Sequence, residues 1–173
     1  MRKNNIIVAI GVAFLGVFLA CEQAPKPPET KAAAPAPPAM LTEADVAAVA
    51  GFSGIKMVPP GTTTGAKGDL NFAKDDSVLI LTINLIGIDE FNEYKTQNEY
   101  IEGAVSDVGD EAMSAPKGDV QNVLFVRSGE QAVVFTSMID ASGDWVKPYF
   151  TIEQLVELAK KMLTNMAAHQ TSP

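Results

Sequence analysis

Apolar residues are distributed unevenly along the chain. Ile6 to Ala20 is an uncharged apolar run of 15 residues. Beyond it, apolar positions either alternate with polar ones or recur at helical spacing. Leu41-Thr42-Glu43-Ala44-Asp45 opens the first periodic segment, with Thr42 as an N-cap and an acid three residues later. A helix is expected to Ala50, burying Leu41, Val46 and Val49 and stopping at Gly51. Residues 52–67, with Pro59-Pro60-Gly61 and three threonines, read as a strand followed by a turn or loop. Asp69–Ala73 reads as a strand, and Lys74-Asp75-Asp76-Ser77 as a hairpin turn. Val78–Ile86 is apolar on both alternating sets, the pattern of a central strand covered on both sides.

Asp89 opens a second helix. Ile88, Phe91, Tyr94 and Ile101 fall near one face, Glu90, Glu93, Glu99 and Glu102 fall elsewhere, and Gly103 is the expected stop. Val105–Ala115 reads as extended or irregular. Val120–Arg127 and Gln131–Met138 are strands around the turn Ser128-Gly129-Glu130. Ile139–Tyr149 reads as a loop holding the single tryptophan. Thr151 and Gln154 form a capping box before a last helix, whose stripe is Ile152, Leu155, Val156, Ala159, Met162, Leu163 and Met166. Hairpin-linked strands interspersed with three helices predict an α+β domain. The expected sheet is antiparallel, with about five to six strands and the helices mainly on one face. Lys67-Gly68-Asp69-Leu70 and Lys117-Gly118-Asp119-Val120 each precede a hairpin and a helix, a short internal echo.

The N-terminus has a different logic. Met1-Arg2-Lys3 is basic, the apolar run follows, and Ala20-Cys21 closes it. A charged n-region before an apolar h-region is the layout of an export signal. An uncleaved anchor is the alternative, although a span normally needs about 20 apolar residues. Residues 22–40 hold Pro25, Pro27, Pro28, Pro35, Pro37 and Pro38, six of the eleven prolines, with alanine filling most of the rest. Proline fixes φ and removes backbone donors, so this stretch reads as a disordered, semi-stiff tether rather than helix or sheet. At about 3.1 Å per residue it would reach on the order of 60 Å when extended. The expected organisation is a signal at 1–20, Cys21 and its tether at 21–40, a domain at 41–168, and a disordered tail at 169–173.

Val17-Phe18-Leu19-Ala20-Cys21 resembles the lipobox of bacterial lipoproteins. Phe18 and Leu19 stand where that family favours a leucine and a small residue. The resemblance implies that signal peptidase II cuts before Cys21 and that the Cys21 sulfur carries lipid, palmitate-type acyl chains included. Each buried methylene then contributes about 0.8 kcal/mol, and two chains hold a protein stably at a membrane. The implied location is the cell envelope, lipid-anchored, with the domain outside the cytoplasm. The domain itself resembles small uncharacterised lipoproteins with a PsbP-like α+β fold. That likeness rests on the Leu41–Asp45 opening, Val108-Gly109-Asp110-Glu111-Ala112, and the Leu155–Leu163 helix. It implies a fold and no particular activity.

Charge narrows the function classes. The chain has 13 basic and 21 acidic residues. Removing Arg2 and Lys3 with the signal leaves a balance of -10. That argues against nucleic acid, which needs a basic face, and against docking on anionic headgroups.

Candidate chemistry is sparse. Ser53-Gly54-Ile55-Lys56 and Ser114-Ala115-Pro116-Lys117 match S-x-x-K, but Ser106-Asp107 is followed by valine and K-T-G is missing. His169 is the single histidine, which leaves too few ligands for zinc and no ring held for a triad. Asp75-Asp76 and Asp107, Asp110 and Glu111 lack calcium-loop spacing and read as solvated turns. Gly61-Thr62-Thr63-Thr64-Gly65-Ala66-Lys67 lacks a complete phosphate-loop pattern. Trp145, Tyr149 and Phe150 are the candidate ligand or partner surface, with capping of the core as the plainer reading. No cofactor and no metal is expected. The reading is a non-catalytic envelope binding domain for a protein partner or small ligand. The alternative is an envelope hydrolase using an unfamiliar carboxylate site, which needs a buried, pKa-shifted carboxyl in a cleft.

Overall fold

A computed structural model describes residues 40–62, 67–75, 77–97, 101–115, 121–141, 143 and 146–170. The signal, Cys21 and the tether lie outside the described residues, as does Trp145. The fold is α+β: three helices, a seven-stranded antiparallel sheet and a small two-stranded sheet.

Local chemistry sets the first helix, α1 (Glu43–Ala50). The Thr42 hydroxyl accepts from the Asp45 N–H at 3.1 Å, and the Thr42 N–H donates to the Asp45 carboxylate at 3.0 Å. Both halves of the capping box are therefore present. Gly51 ends the helix at φ 75°, where a side chain would be strained, and its N–H donates to the Ala47 carbonyl. Leu41 before the cap and Val46 in the first turn occupy hydrophobic-staple positions, and both are fully buried in one cluster.

Three strands follow: β1 (Ile55–Met57), β2 (Leu70–Lys74) and β3 (Val78–Ile86). After α2 (Ile88–Gln97) come β4 (Gly103–Ala104), β5 (Glu111–Ser114), β6 (Val123–Ser128) and β7 (Gln131–Ser137). The excursion β8 (Ile139–Asp140) and β9 (Lys147–Pro148) leads into α3 (Ile152–Gln170). The large sheet runs β1-β2-β3-β7-β6-β5-β4. Ile80 is skipped between the pairs Phe72↔Leu81 and Ala73↔Leu79, so a bulge bends β3. Gly129 sits at φ 59° as the first of two residues between Ser128 and Gln131, where a type II′ hairpin requires it.

The alternation of β6 and β7 defines two faces. Leu124, Val126, Val133 and Phe135 face α1 and α3, joining Leu155, Leu158, Ala159 and Met162. Val123, Phe125, Ala132 and Val134 face the other way, toward Phe91 of α2. Side chains tie the first face together: Gln154 Nε2 donates to the Val49 carbonyl at 2.9 Å, and Asn165 Nδ2 to the Met40 carbonyl at 3.1 Å. The Met40 bond fixes the start of the domain to α3.

Several expectations shift. The sheet has seven strands rather than five or six, because the two-residue β4 is too short to carry a period. Helix α2 is described as far as Gln97 and does not reach Gly103, since residues 101 and 102 are already outside it. Ladder bonding wins there: the Glu102 N–H donates to the Ser114 carbonyl, and Gly103 and Ala104 pair with β5. As expected, most of the helices share one face: α1 and α3 lie on one and α2 on the other. The expected loop Ile139–Tyr149 contains the β8–β9 pair. Residues 169 and 170, expected in a tail, are helical, since α3 runs on through strong helix formers Ala167 and Ala168 to Gln170.

The internal echo moves to a different pair of segments. A Cβ on Gly68 would lie 2.8 Å from the Ile83 carbonyl, and the Asp69 carboxylate accepts from the Leu85 N–H. A Cβ on Gly109 would lie 2.4 Å from the Arg127 carbonyl, and the Asp110 carboxylate accepts from the Gly129 N–H. In both places Gly-Asp precedes a strand, the glycine rests on a carbonyl of the next strand, and the aspartate holds the N–H two residues on. The matching tetrapeptide at 117–120 lies outside the described residues. About the β3–β7 pair, β1-β2-β3 mirrors β5-β6-β7 with β4 added at one edge, yet α2 and α3 sit on opposite faces, whereas a two-fold repeat would place both on one face.

Candidate functional site

The outer side of α2 carries an open groove of about 490 Å³ lined by Asp89, Glu90, Glu93 and Tyr94. Helical geometry explains the grouping, because positions three and four apart share a face. Tyr94 is 40% exposed, and its ring lies 5.0 Å from that of Phe125, tilted by 42°. The groove thus has an aromatic floor resting on the sheet and three carboxylates around it. Its chemistry suits a cationic group. The sequence reading assigned Glu90 and Glu93 to solvent and Tyr94 to the apolar face. The three- and four-residue spacing that joins them was the available signal.

The three aromatics of the last loop separate. Phe150 is fully buried in the main core, so it presents no surface. Its N–H donates to the Ser137 hydroxyl at 2.9 Å, and its carbonyl accepts from Asn122 Nδ2 at 2.8 Å. Phe150 and Leu155 also occupy the staple positions around the Thr151 cap. Tyr149 is half-buried. Burial raises its phenol pKa, and the charge of Asp140 adds to the effect. Its ring lies 6.3 Å from Phe52, over which Lys74 Nζ sits 5.3 Å from the centroid. Sequence reasoning missed Phe52 and Lys74; the β1–β2 pairing sets Ile55 opposite Lys74 and so brings Lys74 near the Phe52 ring. Ile139 and Val146, 42% and 48% exposed, add accessible apolar area in the same excursion.

The other candidates have structural work. Asp107 takes φ 65°, Val108 enters the main core, and Asp110 holds the β6–β7 turn. Glu111 pairs with Lys95 of α2 and with Arg127, whose Nε lies 3.5 Å away. The Lys95 ammonium, as hydrogen-bond partner, holds its carboxyl below the ordinary value. Asp45 is lowered by its bonds from Thr42, and Glu153 by backbone and Thr151 bonds at the α3 cap. A general acid buried in a cleft would shift upward instead. Lys56 Nζ lies 4.0 Å from Glu43, whose other oxygen accepts from the Met57 N–H on the outer edge of β1. Ser53 and Lys56 are both exposed. The side chain of His169 and all of Lys117 lie outside the described residues.

No family model, curated protein or solved structure matches the chain. Among the described residues, no three or more His, Cys, Asp or Glu side chains group to hold a metal ion, and no helix is long and apolar enough to cross a membrane.

Proposed function

We propose that this chain is a cell-envelope lipoprotein, lipidated at Cys21, whose α+β domain is a non-catalytic binding module outside the cytoplasm. One observation carries the reading. The only cysteine stands at the junction between a signal-like apolar run and a proline-rich stretch that ends where a folded domain begins. Lipid on that sulfur anchors the chain, the Pro/Ala stretch spaces the domain from the bilayer, and the domain supplies recognition. The partner is another envelope protein rather than a small ligand. Support for this comes from the α2 groove, which is open and polar, whereas small-molecule sites are enclosed and mainly apolar.

The test is the intact mass of the mature chain from bacterial membranes. A chain beginning at Cys21 and carrying acyl chains is the expected product, with Cys21→Ala released from the membrane fraction. A mature chain starting elsewhere, or unlipidated, overturns the reading. Crosslinking in living cells, read by mass spectrometry, is expected to enrich an envelope protein, and Glu90→Lys/Glu93→Lys is expected to abolish that enrichment.

A further inference from the structure

The second face of the sheet is held differently from the first. α2 begins after Gly87, which has no side chain to cap the helix, whereas α1 and α3 both begin with capping boxes. Gly87 contributes only its carbonyl, which accepts from the Phe91 N–H at 3.0 Å. Among the described side chains of α2, Phe91 alone is fully buried, and the residues from Asn92 to Thr96 are exposed. Further attachment comes from half-buried Ile88 against the same cluster, from Tyr94 against Phe125, and from the surface pair of Lys95 with Glu111. By contrast, α3 buries Leu155, Leu158, Ala159 and Met162 and bonds to two carbonyls near α1. Local opening follows such differences in buried contact, and the elements that move are those with few.

We propose that α2 is a hinged cover that lifts from the sheet as a unit about Gly87, while the α1–α3 face stays closed. Lifting bares an apolar strip formed by Met113, Val123, Phe125 and Val134. Strand β6 lies under both faces, so the sheet keeps its alternate residues packed on α3 when the cover opens. The groove-bearing helix is then also the moving one, and a partner that grips its outer carboxylates would bias the position of the cover.

Amide hydrogen exchange on the full chain in detergent micelles tests this. Peptides from α2 are expected to exchange about 100-fold faster than those from the middle of α3, with little dependence on low denaturant. Phe91→Ala should abolish α2 protection, while α3 keeps most of its own and loses only the about 10-fold that follows from the lost docking of α2. Equal exchange of α2 and α3 in the wild-type chain, with the same steep denaturant dependence, overturns the proposal. So does a Phe91→Ala variant in which α3 loses its protection as completely as α2.

Discussion

The two faces of one sheet are closed by different means. On the first, α1 and α3 bring two capping boxes, hydrophobic staples and one cluster of buried residues that takes in Leu41, Val46, Leu155 and Met162. On the second, α2 brings Phe91 and a polar exterior. The same strands serve both, since Leu124 and Val126 point one way and Val123 and Phe125 the other. Strand propensity therefore cannot account for the difference. It lies in what each helix buries and how each begins. A sheet face needs a cover, but the cover's hold on it is set by the helix.

The sharpest test reverses the usual ranking by size. Leu158→Ala, on the first face, should cost about 3 kcal/mol of global stability through lost burial and a cavity. Phe91→Ala removes a larger side chain, and buried Phe→Ala ordinarily costs about 3–5 kcal/mol. Here the loss is capped by what docking α2 contributes, and about 1–2 kcal/mol is expected. Urea unfolding of both variants measures the two costs. A Phe91→Ala cost equal to or above that of Leu158→Ala would mean that the faces form one cooperative unit.

Capping gives a smaller version of the same comparison. Thr42→Ala removes a cap whose hydroxyl accepts from Asp45 and should cost about 1 kcal/mol. Gly87→Asp adds a cap where the present residue has none, and a Cβ there meets nothing within 4 Å. It should stabilise by only about a few tenths of a kcal/mol, because glycine is already tolerated at an N-cap. The readout is exchange in α2, which should slow while exchange in α3 stays constant.

Much of the first face is legible in the order of residues. Thr42 with Asp45 and Thr151 with Gln154 mark the helix starts because a hydroxyl and an acceptor three residues on satisfy orphan N–H groups locally. Val78–Ile86 reads as a central strand since burial on both sides leaves apolar residues at successive positions. The second face is harder. No local pattern says which side of the sheet a helix will take, and β4 is two residues that a distant ladder recruits. The end of α2 was misplaced for that reason. The loop aromatics were equally opaque, as nothing near Phe150 distinguishes a staple residue from an exposed one until the α3 core is built. The motif Val108–Ala112 was visible as a string. Its role, a glycine resting on the Arg127 carbonyl and an aspartate holding Gly129, needed the partner strand.

The last test concerns the polar hold on the second face. Glu111 on β5 is the acceptor for Lys95 of α2 and for Arg127 of β6. Its carboxyl pKa is lowered, chiefly by the Lys95 hydrogen bond. A lowered folded-state pKa means the pair contributes above the ordinary carboxylate range and loses that contribution as pH falls through the folded value. All three side chains are partly exposed, so solvent and salt screen the pair, and its worth is about a few tenths of a kcal/mol at most. Glu111→Gln should therefore speed α2 exchange slightly at neutral pH and low salt. The difference from wild type should vanish in acid and in about 1 M salt. A difference that persists in acid would mean that Glu111 acts through packing, and that charge has no part in holding the cover down.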